Sequence, residues 1–326
     1  MQAARPRIPR RALHGVLLLD KPIGLSSNAA LQWAKRLYRA EKAGHTGTLD
    51  PLATGLLPLC FGAATKFSQV SLDADKRYRA TLRLGVTTTT GDAEGEILER
   101  RTVDVRRDDV ERVCAGFVRT IEQRPPMHSA LKHEGKPLYA YARAGIEIER
   151  ATRAVTIHRL DVAEGEGDAW TLDVLCSKGT YVRTLAEDIG AALGCGAYLS
   201  ALRRTACGPL SVQSAHTLEV LESLDEPARD ALLLEPDALL ADWPQVRLDD
   251  EGAAHFLSGV RRRIALPDAP RVRVYGPEPK AFLGGAHICA GELISTRLLS
   301  PHEAGDLLGA PRRPSPGPVH TKWVPT

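Results

Sequence analysis

The stretch Gly44-His45-Thr46-Gly47-Thr48-Leu49-Asp50-Pro51-Leu52-Ala53-Thr54-Gly55 offers chemistry in a compact form: one carboxylate among three glycines and three threonines. Pro51 disfavours the α region for Asp50 and pushes it towards an extended or turn conformation. The glycines can take positive φ and let another backbone approach closely. Such a loop can hold a carboxylate at the floor of a cleft that still admits a bulky polymer. A carboxylate so placed can act as a nucleophile or as a general base. Taken alone, Asp-Pro is also a common turn opener.

The elements around this loop must position it. Val16-Leu17-Leu18-Leu19 predicts a short buried strand closed by Lys21-Pro22. Ser26-Ser27-Asn28 supplies N-cap chemistry for a helix over about 28–38, with Leu31, Ala34, Leu37 and Tyr38 on one face. Residues 56–61 read as a strand and 64–72 as a short helix containing Lys66. Polar and apolar residues alternate over 77–84, the period of a half-buried strand. A turn-rich link over 87–92, a helix over 108–118, strands over 152–164 and 169–176, a helix over 181–193 and a strand over 197–207 follow. Residues 210–240 read as helical. Hairpins mixed with helices predict an α+β domain around a mixed, largely antiparallel sheet. A small β-rich module is expected over 245–310. Disordered basic tails are expected at 1–12 and at 311–326, the latter with five prolines and no acidic residue.

The 326 residues are 43% hydrophobic and 25% charged, with a formal net charge of +3. This is ordinary for a globular chain and permits a polyanionic partner without requiring one. Six cysteines without a Cys-x-x-Cys pair indicate neither a disulfide framework nor a zinc site. Arg5, Arg7, Arg10 and Arg11 precede no apolar run of signal-peptide length, and no run is long enough to span a bilayer. The cytoplasm is the default compartment. Residues 124–150 form a polar, proline-broken insertion rich in basic and aromatic side chains, which suits either a functional segment or a solvated excursion.

The twelve-residue loop closely resembles the catalytic loop of the tRNA pseudouridine synthase B family, with Asp50 matching its catalytic aspartate. The resemblance covers roughly residues 13–240. Residues 15–22 resemble the family's lysine-proline motif, and Lys76-Arg77-Tyr78 the segment with its active-site tyrosine. Residues 125–132 resemble the RNA-gripping insertion, although His128 stands where some members have tyrosine. Residues 176–184 resemble the motif carrying the active-site arginine, here Arg183, and Leu202-Arg203-Arg204-Thr205 the final core strand.

The resemblance implies isomerisation of uridine to pseudouridine at position 55 in the tRNA T loop, on a flipped-out base and without metal or cofactor. It implies Asp50, Arg183 and Tyr78 as catalytic residues, Arg183 pairing with Asp50 and Tyr78 stacking on uracil. His45 would pack into the space the nucleotide leaves, and Tyr181 and Leu202 would form pocket wall. Lys21, Lys66, Lys132, Arg143 and Lys178 are candidate phosphate contacts, fitting recognition of RNA by shape and stacking. The partner implied is the T arm of tRNA, bound by a monomer with no obligatory protein partner. The C-terminal module resembles an RNA-binding PUA-like domain. Two other readings fit parts of the pattern: a non-catalytic tRNA-binding chaperone, and a guide-RNA-dependent pseudouridine synthase.

Overall fold

The computed structural model describes residues 9–277 and 281–309. The expected tail at 311–326 lies outside them, as do residues 1–8. Arg11, expected in the N-terminal tail, is instead anchored, pairing with Asp230 and with Glu226.

In chain order, β1 (Gly15–Lys21) leads through α1 (Ser27–Leu37) and β2 (Ala43–His45) to β3 (Ala53–Phe61). Then come α2 (Ser68–Asp73), β4 (Lys76–Leu84), the hairpin β5 (Val86–Thr88) and β6 (Ile97–Arg100), and α3 (Arg107–Phe117). β7 (Thr120–Gln123) precedes the insertion, which holds β8 (Lys132–His133), β9 (Lys136–Pro137) and α4 (Leu138–Arg143). β10 (Arg153–Glu166), β11 (Ala169–Cys176), α5 (Val182–Ala192) and β12 (Ala197–Cys207) complete the main sheet, with β13 (Leu210–Ser211) at its margin. Its order is β1-β3-β12-β4-β11-β10-β7. Every pairing along this path is antiparallel except β12 against β3. The fold is the α+β arrangement expected from the sequence.

Local chemistry accounts for the elements nearest Asp50. Ser26 caps α1 by accepting a bond from the Ala29 N–H at 3.1 Å, and Ala30, Leu31 and Ala34 form its buried face. β1 is buried along nearly its whole length, as its continuous apolar run Val16-Leu17-Leu18-Leu19 requires. Where β3 runs beside β12, Gly55 has φ +95°, and a Cβ there would sit 2.3 Å from the Arg204 carbonyl oxygen. Glycine is therefore needed for the two backbones to meet.

Two regions differ from the sequence reading. Residues 89–91 are the turn expected, but 87 and 88 belong to β5, which pairs with β6, a hairpin whose four-residue second strand is wholly exposed and carries no alternating pattern to signal it. Residues 210–240 are not one helical run: after β13 come a 3-10 turn at Val212–Ser214, the short helices α6 (Leu218–Ser223) and α7 (Glu226–Asp230), and a 3-10 turn at Pro236–Leu240. Proline and aspartate interrupt the leucine-rich run there.

The second sheet, β14 (Gln245–Arg247), β15 (Arg262–Arg263), β16 (Ala269–Tyr275), β17 (Phe282–Cys289) and β18 (Glu292–Leu298), is accompanied by α8 (Asp250–Leu257) and α9 (Pro301–Gly309). Its order is β14-β16-β17-β18-β15. It does not stand apart from the main sheet. Tyr275, Phe282, Leu299 and Ala304 share one apolar cluster with Val16, Leu56 and Phe67, and the rings of Phe67 and Phe282 lie 5.1 Å apart.

Candidate active site

The strands bring the chemistry together at one place. Asp50 lies in the loop entering β3, Tyr78 on β4, Leu202 on β12, and Arg183 in the first turn of α5. In the register of the sheet, Arg204 of β12 stands between Gly55 of β3 and Tyr78 of β4. The loop itself is tied down next to Asp50: the Ser27 hydroxyl accepts from the Leu49 N–H at 2.7 Å and donates to the Leu49 carbonyl at 3.0 Å.

Arg183 and Asp50 form the pair that the resemblance implies, Nη2 to Oδ2 at 3.0 Å. The arginine side chain is 5% exposed and the Asp50 side chain 39%, so the carboxylate faces an opening while its cation is sealed behind it. Burial is the largest influence on Asp50 and pushes its carboxyl up; Asp92 adds to this, and Arg183 and Lys21 oppose it. Asp92 is a residue the sequence reading missed. Its carboxylate reaches Arg183 Nη1 at 3.3 Å and is itself 3% exposed. The guanidinium also donates to the carbonyls of Thr90 at 3.1 Å and His128 at 2.6 Å. One fork thus orients two carboxylates and pins the insertion to the cleft.

Two adjoining chambers share Asp50, Arg183 and Ser129. The first, about 390 Å³, is walled by Tyr78, Tyr181 and Leu202. That is room for a planar base. The second, about 560 Å³, opens past His45, Tyr139 and Arg143. Burial pushes the Tyr78 phenol up to about 12, against the opposing charge of Arg204. Tyr78 is therefore a neutral phenol near pH 7. Burial lowers the pKa of His45, with Arg204 reinforcing the effect, so the ring is neutral as well, and its Nδ1 is buried without a hydrogen-bond partner. Tyr181 lies under the Arg153 guanidinium, 4.7 Å from ring centroid to cation, and Gln123 bonds its main-chain N–H at 3.0 Å.

The lysines divide. Lys21 is not a phosphate contact: it is 0% exposed, and Nζ donates to the carbonyls of Pro22 at 2.8 Å and Leu25 at 2.6 Å. Burial lowers its pKa to about 8. Lys66 is engaged within the protein: its Nζ pairs with Glu303 at 2.5 Å and donates to the Leu298 carbonyl at 3.0 Å, tying the turn after β3 to the C-terminal module. Lys66→Ala is expected to leave RNA affinity unchanged in filter binding and to cost about 0.5–1 kcal/mol in denaturant unfolding. Lys178 pairs with Asp73 at 2.9 Å but is exposed, so a phosphate could compete for it. Lys132 is exposed on β8, and Arg143 lies over the Tyr139 ring at 5.5 Å, at the mouth of the second chamber.

Arg204 was also missed as a site residue. β12 turns Arg203 towards Asp20, which it contacts at 2.7 Å, and turns Arg204 into the core at 1% exposure. A charge on the inward phase of an otherwise apolar strand was the available signal. For Asp92 no pattern in the sequence marks its partner.

Three profiles of known families match the chain in sequence. The TruB family pseudouridylate synthase N-terminal domain covers residues 35–182, the tRNA pseudouridylate synthase B C-terminal domain 183–241, and the pseudouridine synthase II TruB C-terminal region 244–299. The tRNA pseudouridine synthase B of Verminephrobacter eiseniae is 57% identical over 315 residues, 94% of this chain and 95% of that one. That of Chromobacterium violaceum is 55% identical over 300 residues, 91% and 98% of the two chains. Among solved structures, a Cbf5-Nop10-Gar1 complex contains a chain 25% identical with a TM-score of 0.69, matched over 90% of this chain and 87% of that one. The chain belongs to the TruB family of pseudouridylate synthases.

Proposed function

We propose that this protein isomerises uridine to pseudouridine at position 55 in the T loop of tRNA, with Asp50 as the catalytic carboxylate. The reaction breaks N1–C1′, turns the uracil, joins C5 to C1′ and moves the C5 proton to N1. Atoms and charge balance without an oxidant or reductant. The observation that carries the reading is the Asp50–Arg183 pair at 3.0 Å, opening into a base-sized chamber walled by Tyr78 and Leu202. Either route open to a carboxylate fits this placement: attack at the sugar or uracil, or removal of the 2′ proton.

Each residue then has a task. Arg183 orients Asp50 and favours its ionised form. Tyr78 stacks on the flipped uracil, and its phenol oxygen can take the C5 proton as its own hydroxyl proton passes to solvent, so that the side chain stays neutral. Tyr181 and Leu202 complete the wall, and His45 fills space vacated in the RNA. Lys132, Arg143 and Lys178 meet backbone phosphates, and the insertion at 124–150 clamps the T arm. The C-terminal sheet acts as a PUA-like RNA-binding module. The protein works as a cytoplasmic monomer, without a guide RNA. The 57% and 55% identity to relatives named tRNA pseudouridine synthase B along nine-tenths of the chain, against 25% to the chain of the Cbf5-Nop10-Gar1 complex, supports this reading over guide dependence.

The test is tritium release from a tRNA transcript labelled at uracil C5. Release is expected with naked tRNA and is lost when position 55 is mutated. Tight binding with no release would favour the chaperone reading.

The pH profile gives a second check. The raised pKa of Asp50 means that the anion forms above the ordinary carboxyl value of 3.8. The acid limb of kcat/KM is therefore displaced upward, and Asp92→Asn, which removes a like charge, moves it to lower pH. A limb unmoved by Asp92→Asn would assign that ionisation to another group.

A further inference from the structure

Among the described residues, Arg204 is the largest side chain that the fold buries completely, at 1% exposure. Its main-chain hydrogen bonds run to two carbonyls, Nε to Leu56 at 2.7 Å and Nη2 to Gly47 at 3.2 Å, and its side chain also hydrogen-bonds that of Tyr78. Those two residues bracket the Asp50 loop, one before the carboxylate and one on the strand after it. Gly47 has φ +85°, and a Cβ there would lie 3.3 Å from Arg204 Nη1, so the loop closes tightly on the guanidinium. On its other side Arg204 is the register partner of Tyr78, and the same side chain lines the base-sized chamber.

A guanidinium buried against carbonyls rather than a carboxylate is expensive to desolvate. Its charge also weighs on the site, lowering the pKa of His45, Lys21 and Lys76. Stability alone is a poor reason to keep such a group, because an apolar side chain of similar volume would fill the space without those penalties. What the planar fork provides is a fixed distance between the loop that carries Asp50 and the strand that carries Tyr78.

We propose that Arg204 is a positioning residue for the isomerisation: it staples the Asp50 loop at Gly47 and Leu56 and sets that loop against the Tyr78 hydroxyl. The inference rests on the reading of the site given above. It adds a residue that acts through the two groups proposed to meet the base.

The experiment compares the full chain with Arg204→Gln and Arg204→Lys. For each protein, tRNA affinity is measured by filter binding and pseudouridine formation by a single-turnover assay. Each is also labelled with 3-fluorotyrosine, and the Tyr78 resonance, assigned through Tyr78→Phe, is titrated by fluorine NMR. Arg204→Gln is expected to bind tRNA within about threefold of wild type and to react about 100-fold more slowly, the scale of loss for a misplaced catalytic group. The Tyr78 resonance should titrate at higher pH than in the wild type once the opposing cation is gone. Arg204→Lys keeps the charge but cannot span both carbonyls, so the titration stays near wild type while the rate remains depressed.

Wild-type rates in both variants would overturn the proposal. So would a rate loss fully accounted for by lost tRNA affinity. If Arg204→Gln does not fold, Arg204→Lys decides by the same rate and affinity criteria. Failure of the wild type to form pseudouridine would instead sink the functional reading, and the Tyr78 titration would still report whether Arg204 governs that side chain.

Discussion

Asp50→Asn is expected to reduce pseudouridine formation by more than about 10⁴-fold, the scale seen when a sole acid–base or nucleophilic group is removed. Binding of tRNA should stay within about threefold, because the amide is nearly isosteric and the phosphate-contacting groups are untouched. The variant should also melt no lower than wild type. A carboxyl whose folded pKa lies above its unfolded value is favoured neutral by the fold. Its stability contribution is full below the unfolded value and is lost as pH rises through the folded one. At neutral pH the ionised Asp50 is therefore a cost that asparagine relieves. Equal tritium release by mutant and wild type would remove Asp50 from the mechanism; a large drop in melting temperature would mean that the carboxylate is structural.

Arg183→Met acts differently, damaging both activity and fold. The guanidinium serves Asp50, Asp92 and the carbonyls of Thr90 and His128 at once. Removing it leaves Asp92, 3% exposed, without its cation. Breaking a buried pair in this way costs about 3–5 kcal/mol. Turnover should fall about 10³-fold as Asp50 loses its orienting partner. Arg183→Lys is not expected to rescue, since one ammonium cannot replace a fork that meets two carboxylates from different directions. The double change Arg183→Met with Asp92→Asn should recover part of the stability in urea titrations but little of the activity. A lysine variant with wild-type turnover would show that charge alone suffices.

The sequence was most legible where a single local pattern decides structure. The strand alternation over 77–84 and the capped helix after Ser26 were readable because period and cap chemistry act within a few residues. The strand at 197–207 was readable as well. Asp50, Tyr78, Leu202 and Arg183 were legible as a group through motif resemblance, not through any periodicity. What stayed hidden was set by partners distant in sequence. Lys21 and Lys66 look like solvent cations in the chain, yet one is consumed by neighbouring carbonyls and the other by Glu303. Asp92 was hidden in what read as a turn, and only the fold brings it to Arg183. The insertion was legible only as a polar, proline-broken stretch, whereas Leu138 and Tyr139 bond back to Leu131 and Ser129 beside a hairpin and a helix.

The apolar cluster shared by the two sheets has a mechanical consequence. Because Phe282 and Tyr275 pack into the same core as Val16 and Leu56, the C-terminal module is welded to the scaffold that carries Asp50 rather than hung from a hinge. The molecule is then a caliper of fixed gape: whatever touches its second sheet is held at one set distance from the carboxylate.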